Sequence, residues 1–276
     1  MVDPTSSALI GQIYNDINQG WEAVKLLEII MIPYGYFFLR PNKVASVLLW
    51  IAIMNVFHNL FSYLAMYIGD MYPTFNTQNL WTVQAAAAAA IRSLELYCNL
   101  LIVSAVAQPQ QIRILKIVTV IAVLGVWGGR IYDVYGSFLI SSSIRVGMAI
   151  VAAFGVFQST FCLWTIHSAM NRMGDKSAIG KGQVHQLLFK SAIRLAFIQF
   201  IDIFEFIGAM WMRGSIYTLW WDMIAGNLDN SRALFMFVDL LMTKIETMKG
   251  SQVKGSNGAT QNQKSVAVAS ASQIRD

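Results

Sequence analysis

The sequence predicts an all-α, polytopic membrane bundle of seven transmembrane helices, with six as the alternative count. Three observations carry that expectation. Of the 276 residues, 56% are hydrophobic and only 13% charged, where a soluble domain carries about 25% charged residues. The apolar residues fall into runs long enough for a ~30 Å hydrocarbon core. Lys and Arg gather at the ends of those runs, so the net charge of +5 reads as membrane orientation and not as a nucleic-acid patch.

Residues 1–19 read as a polar N-terminal tail. It lacks a basic region followed by an apolar one, so no cleavable signal peptide is expected. Residues 20–248 form one domain, the bundle. Its first span runs from Trp21 to Leu39. Glu22, Lys25 and Glu28 crowd its start and Pro33 sits midway, which leaves an interfacial helix as the alternative. The second span, Val44 to Ile68, is uninterrupted. A loop with Asp70 and Pro73 leads to the third, Leu80 to Ala107, whose run Ala85 to Ala90 is small enough for close helix approach. The turn Gln108-Pro109-Gln110 precedes the fourth, Ile112 to Tyr132. Gly125 to Gly129 lies inside that span and reads as a packing groove, not a phosphate loop. The fifth span is Ile144 to Met170. A basic loop from Arg172 to Lys190 leads into the sixth apolar run, about Leu187 to Met212. Tyr217, Trp220 and Trp221 suit a headgroup belt ahead of a short seventh span, Ala233 to Ile245. Residues 249–276 are polar and aperiodic, and are expected to form a disordered tail.

One set of loops holds Arg40, Lys43, Arg113, Lys116, Arg172 through Lys190, Lys244, Lys249 and Lys254. The opposite set holds Asp70, Asp222 and Asp229. The bias places the first set and the C-terminus in the cytoplasm, and seven spans then put the N-terminus outside or in a lumen. The endoplasmic reticulum or another endomembrane is the expected location, with the lipid bilayer as partner.

The most informative stretch is Gln199-Phe200-Ile201-Asp202-Ile203-Phe204-Glu205-Phe206 in the sixth span. At 100° per residue Asp202 and Glu205 fall about 60° apart, on one helix face. Arg194 falls about 20° from Glu205 on the same wheel. Charges at bilayer depth face a bundle interior or a wet cavity. Other spans offer polar groups at similar estimated depth: His58 and Asn59, Arg92 and Glu95, Gln158, and Asp239. One reading is mutual pairing that holds the bundle together, Arg92 with Glu95 at i and i+3 among them. The other is a polar site within an apolar and aromatic pocket. Four carboxylates against one arginine leave acid in excess. Such acids are expected to stay protonated and to be usable as general acids.

Other chemistries find no support. Cys98 and Cys162 lie within apolar spans and read as buried free thiols. No cluster has metal-ligand spacing, so no metal is expected. His58 and His167 do not match in depth for a bis-histidine haem, and no cofactor is expected.

Two short strings resemble the fungal integral-membrane terpene cyclases of meroterpenoid and indole-diterpene pathways. Gly20-Trp21-Glu22-Ala23-Val24-Lys25 is similar to their entry to the first helix. Val238-Asp239 is similar to the acid-bearing stretch of their last helix. Their second helix carries Asn-x-x-Trp-Glu, and here Asn55-Val56-Phe57-His58-Asn59 stands in its place, with His-Asn for Trp-Glu. The resemblance implies a compact seven-helix enzyme that protonates a prenylated, lipophilic substrate. Asp239 would be the catalytic acid, assisted by Glu205 or Asp202. Glu95, Arg92, His58, Asn59, Tyr63, Tyr97, Phe204 and Phe206 would be pocket residues. A seven-helix receptor or sensor for a small ligand, a proton-coupled transporter using Asp202 and Glu205 as relay, and a scaffold protein are the competing readings.

Overall fold

The computed structural model describes residues 27, 29–37, 43–72, 74–135, 146–174, 181–211, 224, 228, 231–238 and 240–241. Their regular structure is helical throughout, with no strand among the described residues. Five long helices follow one another: α1 (Lys43–Met71), α2 (Gln78–Ser104), α3 (Pro109–Tyr135), α4 (Val146–Gly174) and α5 (Lys181–Trp211). Residues 29–37 and 232–238 are shorter helical segments. Of residues 238–276, which cluster apart as a second unit, Val238, Leu240 and Leu241 are described and helical. Asp239, the aromatic loop and the polar tail lie outside the described residues.

α1, α2, α3 and α4 are each long and apolar enough to cross a membrane. α5 carries Lys190, Arg194, Asp202 and Glu205 and is not among those four. Its exterior is nonetheless as apolar as theirs. Phe200, Ile203 and Phe206 are exposed, while Arg194, Leu195, Ile198, Ile201, Asp202 and Glu205 form the buried stripe. That stripe follows the 3.6-residue period. Charged residues inside and large apolar residues outside reverse the usual distribution of a soluble protein. α3 shows the same outward face, with Ile117, Val120 and Leu124 exposed. Such surfaces match hydrocarbon, and the chain is a membrane protein.

Local chemistry sets the helix boundaries. α3 starts at Pro109, three residues earlier than the apolar run suggests. Proline is suited to the first helical position, where its missing N–H is not needed. The Gln108 N–H donates to Gln111 Oε1 at 3.0 Å, the returning half of a capping box. The turn between α2 and α3 is therefore short, and the two helices pack as antiparallel neighbours. α5 starts at Lys181, so much of the expected basic loop up to Lys190 is helical. Lys181–Lys190 holds no proline and its one glycine, Gly182, lies in the first turn, so a polar first turn extends the helix beyond its apolar run.

Consecutive helices pack together throughout, α1 on α2, α2 on α3, α3 on α4 and α4 on α5. The glycine-rich stretch of α3 is a packing groove. A Cβ at Gly125 would overlap the Phe154 ring, and one at Gly129 would lie 2.7 Å from the Gly147 carbonyl oxygen. Ala87, Ala88 and Ala89 are buried within the alanine run of α2. At the other end of the bundle Leu100, Val103, Leu115, Cys162, Ile166, Leu188 and Leu195 form an apolar cluster.

Candidate functional site: a charged cavity inside the bundle

Buried charge must be paired to be tolerated, and here it is. Arg92 Nη1 donates to Glu95 Oε2 at 2.8 Å, one helical turn away on α2. Its Nη2 reaches Asp202 Oδ1 on α5. Arg232 Nη1 donates to the same Asp202 oxygen at 2.6 Å, and its Nη2 to Glu205 Oε2 at 3.2 Å. The five groups form one chain, Glu95–Arg92–Asp202–Arg232–Glu205, and Asp202 and Arg232 are each 0% exposed. Gly155 of α4 makes room for it: a Cβ there would overlap Arg92 Nη2 and the Asp202 carboxylate.

The network holds a second arginine that the expected count of four carboxylates against one arginine leaves out. Asp202 is bonded to both arginines and Glu205 to Arg232, so each of these acids has a cationic partner. Arg232 is the residue that sequence reasoning missed. It precedes the apolar run starting at Ala233 and reads there as a flanking loop charge. The described segment places it at the start of a helix, turned inward. The imbalance of acids over arginines was itself the signal that a cation was missing.

Beside the network is a cavity of about 210 Å³. Asn55, His58, Arg92, Glu95, Arg130 and Glu205 supply its polar lining; Ala88, Ile91, Met148, Val151 and Ala233 supply the apolar part. His58 is held against α2. Its Nδ1 lies 3.3 Å from the Gln84 backbone oxygen, and its Nε2 lies 3.3 Å from Gln84 Nε2. A proton on Nδ1 satisfies both contacts, because a carbonyl only accepts. Gln158, fully buried, donates to the Leu96 carbonyl at 2.8 Å and to Thr119 Oγ1 at 3.3 Å, tying α4 to α2 and α3.

The sequence-derived candidates separate into groups. Arg92, Glu95, His58 and Glu205 line the cavity, with Asp202 bound to Arg92. Asn59 is half-buried and is not among the lining residues. Tyr63 and Tyr97 are exposed, at 52% and 44%, and also lie off the cavity wall. Phe206 is exposed and Phe204 half-buried, neither on the cavity wall. Among the described residues no group of His, Cys, Asp and Glu could hold a metal ion.

The cavity reaches from the middle of the bundle, where Asn55, Ile91 and Arg92 stand within about 3 Å of the midpoints of α1 and α2, toward one end. Arg130 stands about 12 Å past the middle of α3, and Glu205 about 13 Å past the middle of α5, at ~1.5 Å per residue. Met148 and Val151 belong to the first turns of α4. Arg130, Glu205, Met148 and Val151 lie toward the end of the bundle where α1 turns into α2. No family model matches the chain, and neither a curated protein nor a solved structure is similar to it, so the cavity itself is what speaks for function.

Proposed function

We propose that the protein is a seven-span membrane receptor or sensor that recognises a small polar ligand inside its helix bundle. The observation that carries this is the mixed cavity built on fixed, mutually paired charges. Preorganised ion pairs suit recognition, whereas a general acid needs a proton to give. The helical segments at residues 29–37 and 232–238 belong, in this reading, to the first and seventh spans, and α5 is the sixth. The Lys and Arg bias puts the turn between α2 and α3 and the segment between α4 and α5 in the cytoplasm. The cavity then extends from mid-bundle toward the opposite face, the side of ligands from outside or from a lumen. The basic stretch from Arg172 to Lys190 is the natural cytoplasmic output surface.

A second reading, polyprenyl cyclisation, is favoured by one observation. Asn55, which matches the Asn-x-x-Trp-Glu string of the terpene cyclases, and His58, which stands where that string has Trp, both line the cavity. Its acid would be Asp239. The cavity volume weighs against it, since drug-sized ligands occupy about 300–1,000 Å³. The test uses the purified full-length protein in lipid nanodiscs. Thermal unfolding is followed with amines, amino acids, short carboxylates and prenylated phenols. Saturable stabilisation that is lost in the cavity-filling variant Ala88→Trp supports recognition. Conversion of a prenylated phenol or its epoxide to a cyclised product, abolished in Asp239→Asn, replaces the receptor reading with the enzyme.

A further inference from the structure

Arg92 and Arg130 line the cavity, Arg232 belongs to the network beside it, and one of the three differs from the others. Arg92 and Arg232 are bound to carboxylates. Arg130 lines the cavity yet makes no ion pair among the described residues; the buried Nε without an acceptor it has in common with Arg92 and Arg232. Long arginines near a helix end usually extend outward to the interface. This one is directed at the cavity. A guanidinium in such a place calls for an anion, and its planar fork matches a carboxylate or a phosphate.

Charge balance decides between them. Among the described residues of the cavity wall and the network, Arg92, Arg130 and Arg232 offset Glu95, Asp202 and Glu205, so that set is neutral as it stands. A phosphate dianion would leave two uncompensated negative charges beside Glu95 and Glu205, and a simple carboxylate would leave one. A zwitterion leaves none. Glu95 and Glu205 each turn Oε2 to an arginine, and a carboxylate offers about four acceptor sites, so both can also receive an ammonium group. The volume of about 210 Å³ falls below the ~300–1,000 Å³ of pockets that take drug-sized ligands. That admits a small amino acid and not a peptide. Ile91, Met148 and Val151 offer its side chain an apolar wall.

We propose that the cavity binds a small zwitterionic amino acid with an apolar side chain, its carboxylate on Arg130 and its ammonium group toward Glu95 and Glu205. This rests on the recognition reading above. The test is thermal unfolding of the full-length protein in nanodiscs with L-alanine, L-valine, propionate, ethylamine and inorganic phosphate. L-Alanine or L-valine is expected to raise the midpoint saturably. Propionate and ethylamine, each lacking one pole of alanine, are expected to bind at least about tenfold more weakly. Arg130→Gln is expected to weaken amino-acid binding by at least about tenfold, because the charge-assisted pair is lost. The wild-type comparison decides the matter even if that variant fails to fold. Propionate equal to alanine, phosphate stronger than both, or no shift with either amino acid overturns the proposal. If a different class of molecule stabilises the protein and Ala88→Trp blocks it, recognition stands and the zwitterion falls. If no compound shifts the midpoint, both fall.

Discussion

Arg232 is central to the buried network, because it bonds both Asp202 and Glu205. Arg232→Met keeps most of the volume and removes the charge, leaving the three carboxylates of the network with the one guanidinium of Arg92. Removing one partner of a buried ion pair costs about 3–5 kcal/mol. A large drop in the thermal midpoint is expected, with Arg232→Lys intermediate because an ammonium cannot fork to two carboxylates. Tyr97→Phe, on the exposed face of α2, is the control and is expected to stay within about 0.5 kcal/mol. Equal midpoints for Arg232→Met and wild type would show that the network does not hold the bundle. Asp202→Asn is expected to act in the same direction, through stability first. The two acids and Arg92 were legible from the sequence, since charges in an apolar run stand out. Their arginine partner was not, because a basic residue at the edge of a run looks like an ordinary interfacial anchor until the helix that carries it is turned inward. Arg130, after Gly128 and Gly129, was masked in the same way.

At the scale of helices, the crossing of α3 and α4 depends on small residues. A Cβ at Gly147 would collide with the Gly129 carbonyl oxygen and the Asp133 carboxylate, whereas one at Gly128 would meet nothing within 4 Å. Backbone cannot yield as a side-chain tip can, so Gly147→Ala is expected to push the helices apart and lower stability by about 1–3 kcal/mol. Gly128→Ala is expected to be neutral, or to gain up to about 1 kcal/mol from helix propensity. Thermal unfolding of the two variants side by side reads the difference, and equal effects would remove the close crossing. Arg130 follows directly on this contact, so Gly147→Ala also tests whether the crossing positions the cavity wall. The groove was readable from the glycine spacing within an apolar run. The helix ends were less so: Pro109 and Lys181 extend α3 and α5 beyond their apolar runs, because the backbone follows capping and propensity while hydropathy reports only the lipid-facing length.

For the whole molecule, an apolar exterior around a charged interior fits the membrane reading, and the open quantity is sidedness. α1 to α5 run alternately, so the turn before α2 and the turn before α3 lie at opposite ends of the bundle. Arg113, Lys116 and Arg172 sit near the second end, Asp70 near the first. The positive-inside rule assigns the second end to the cytoplasm. Thr74 and Gln108 are exposed residues in the two turns, and each is replaceable by cysteine. The background is favourable, since the native Cys98 and Cys162 are both 0% exposed. In sealed, right-side-out vesicles a membrane-impermeant maleimide is expected to label Thr74→Cys before permeabilisation and Gln108→Cys only after it. The reverse order would turn the bundle over and point the cavity toward the cytoplasmic face, where an outside ligand could not reach it. Labelling of both from the same face would mean that α2 does not cross the membrane, and the interior charges would then need an explanation other than a bilayer outside.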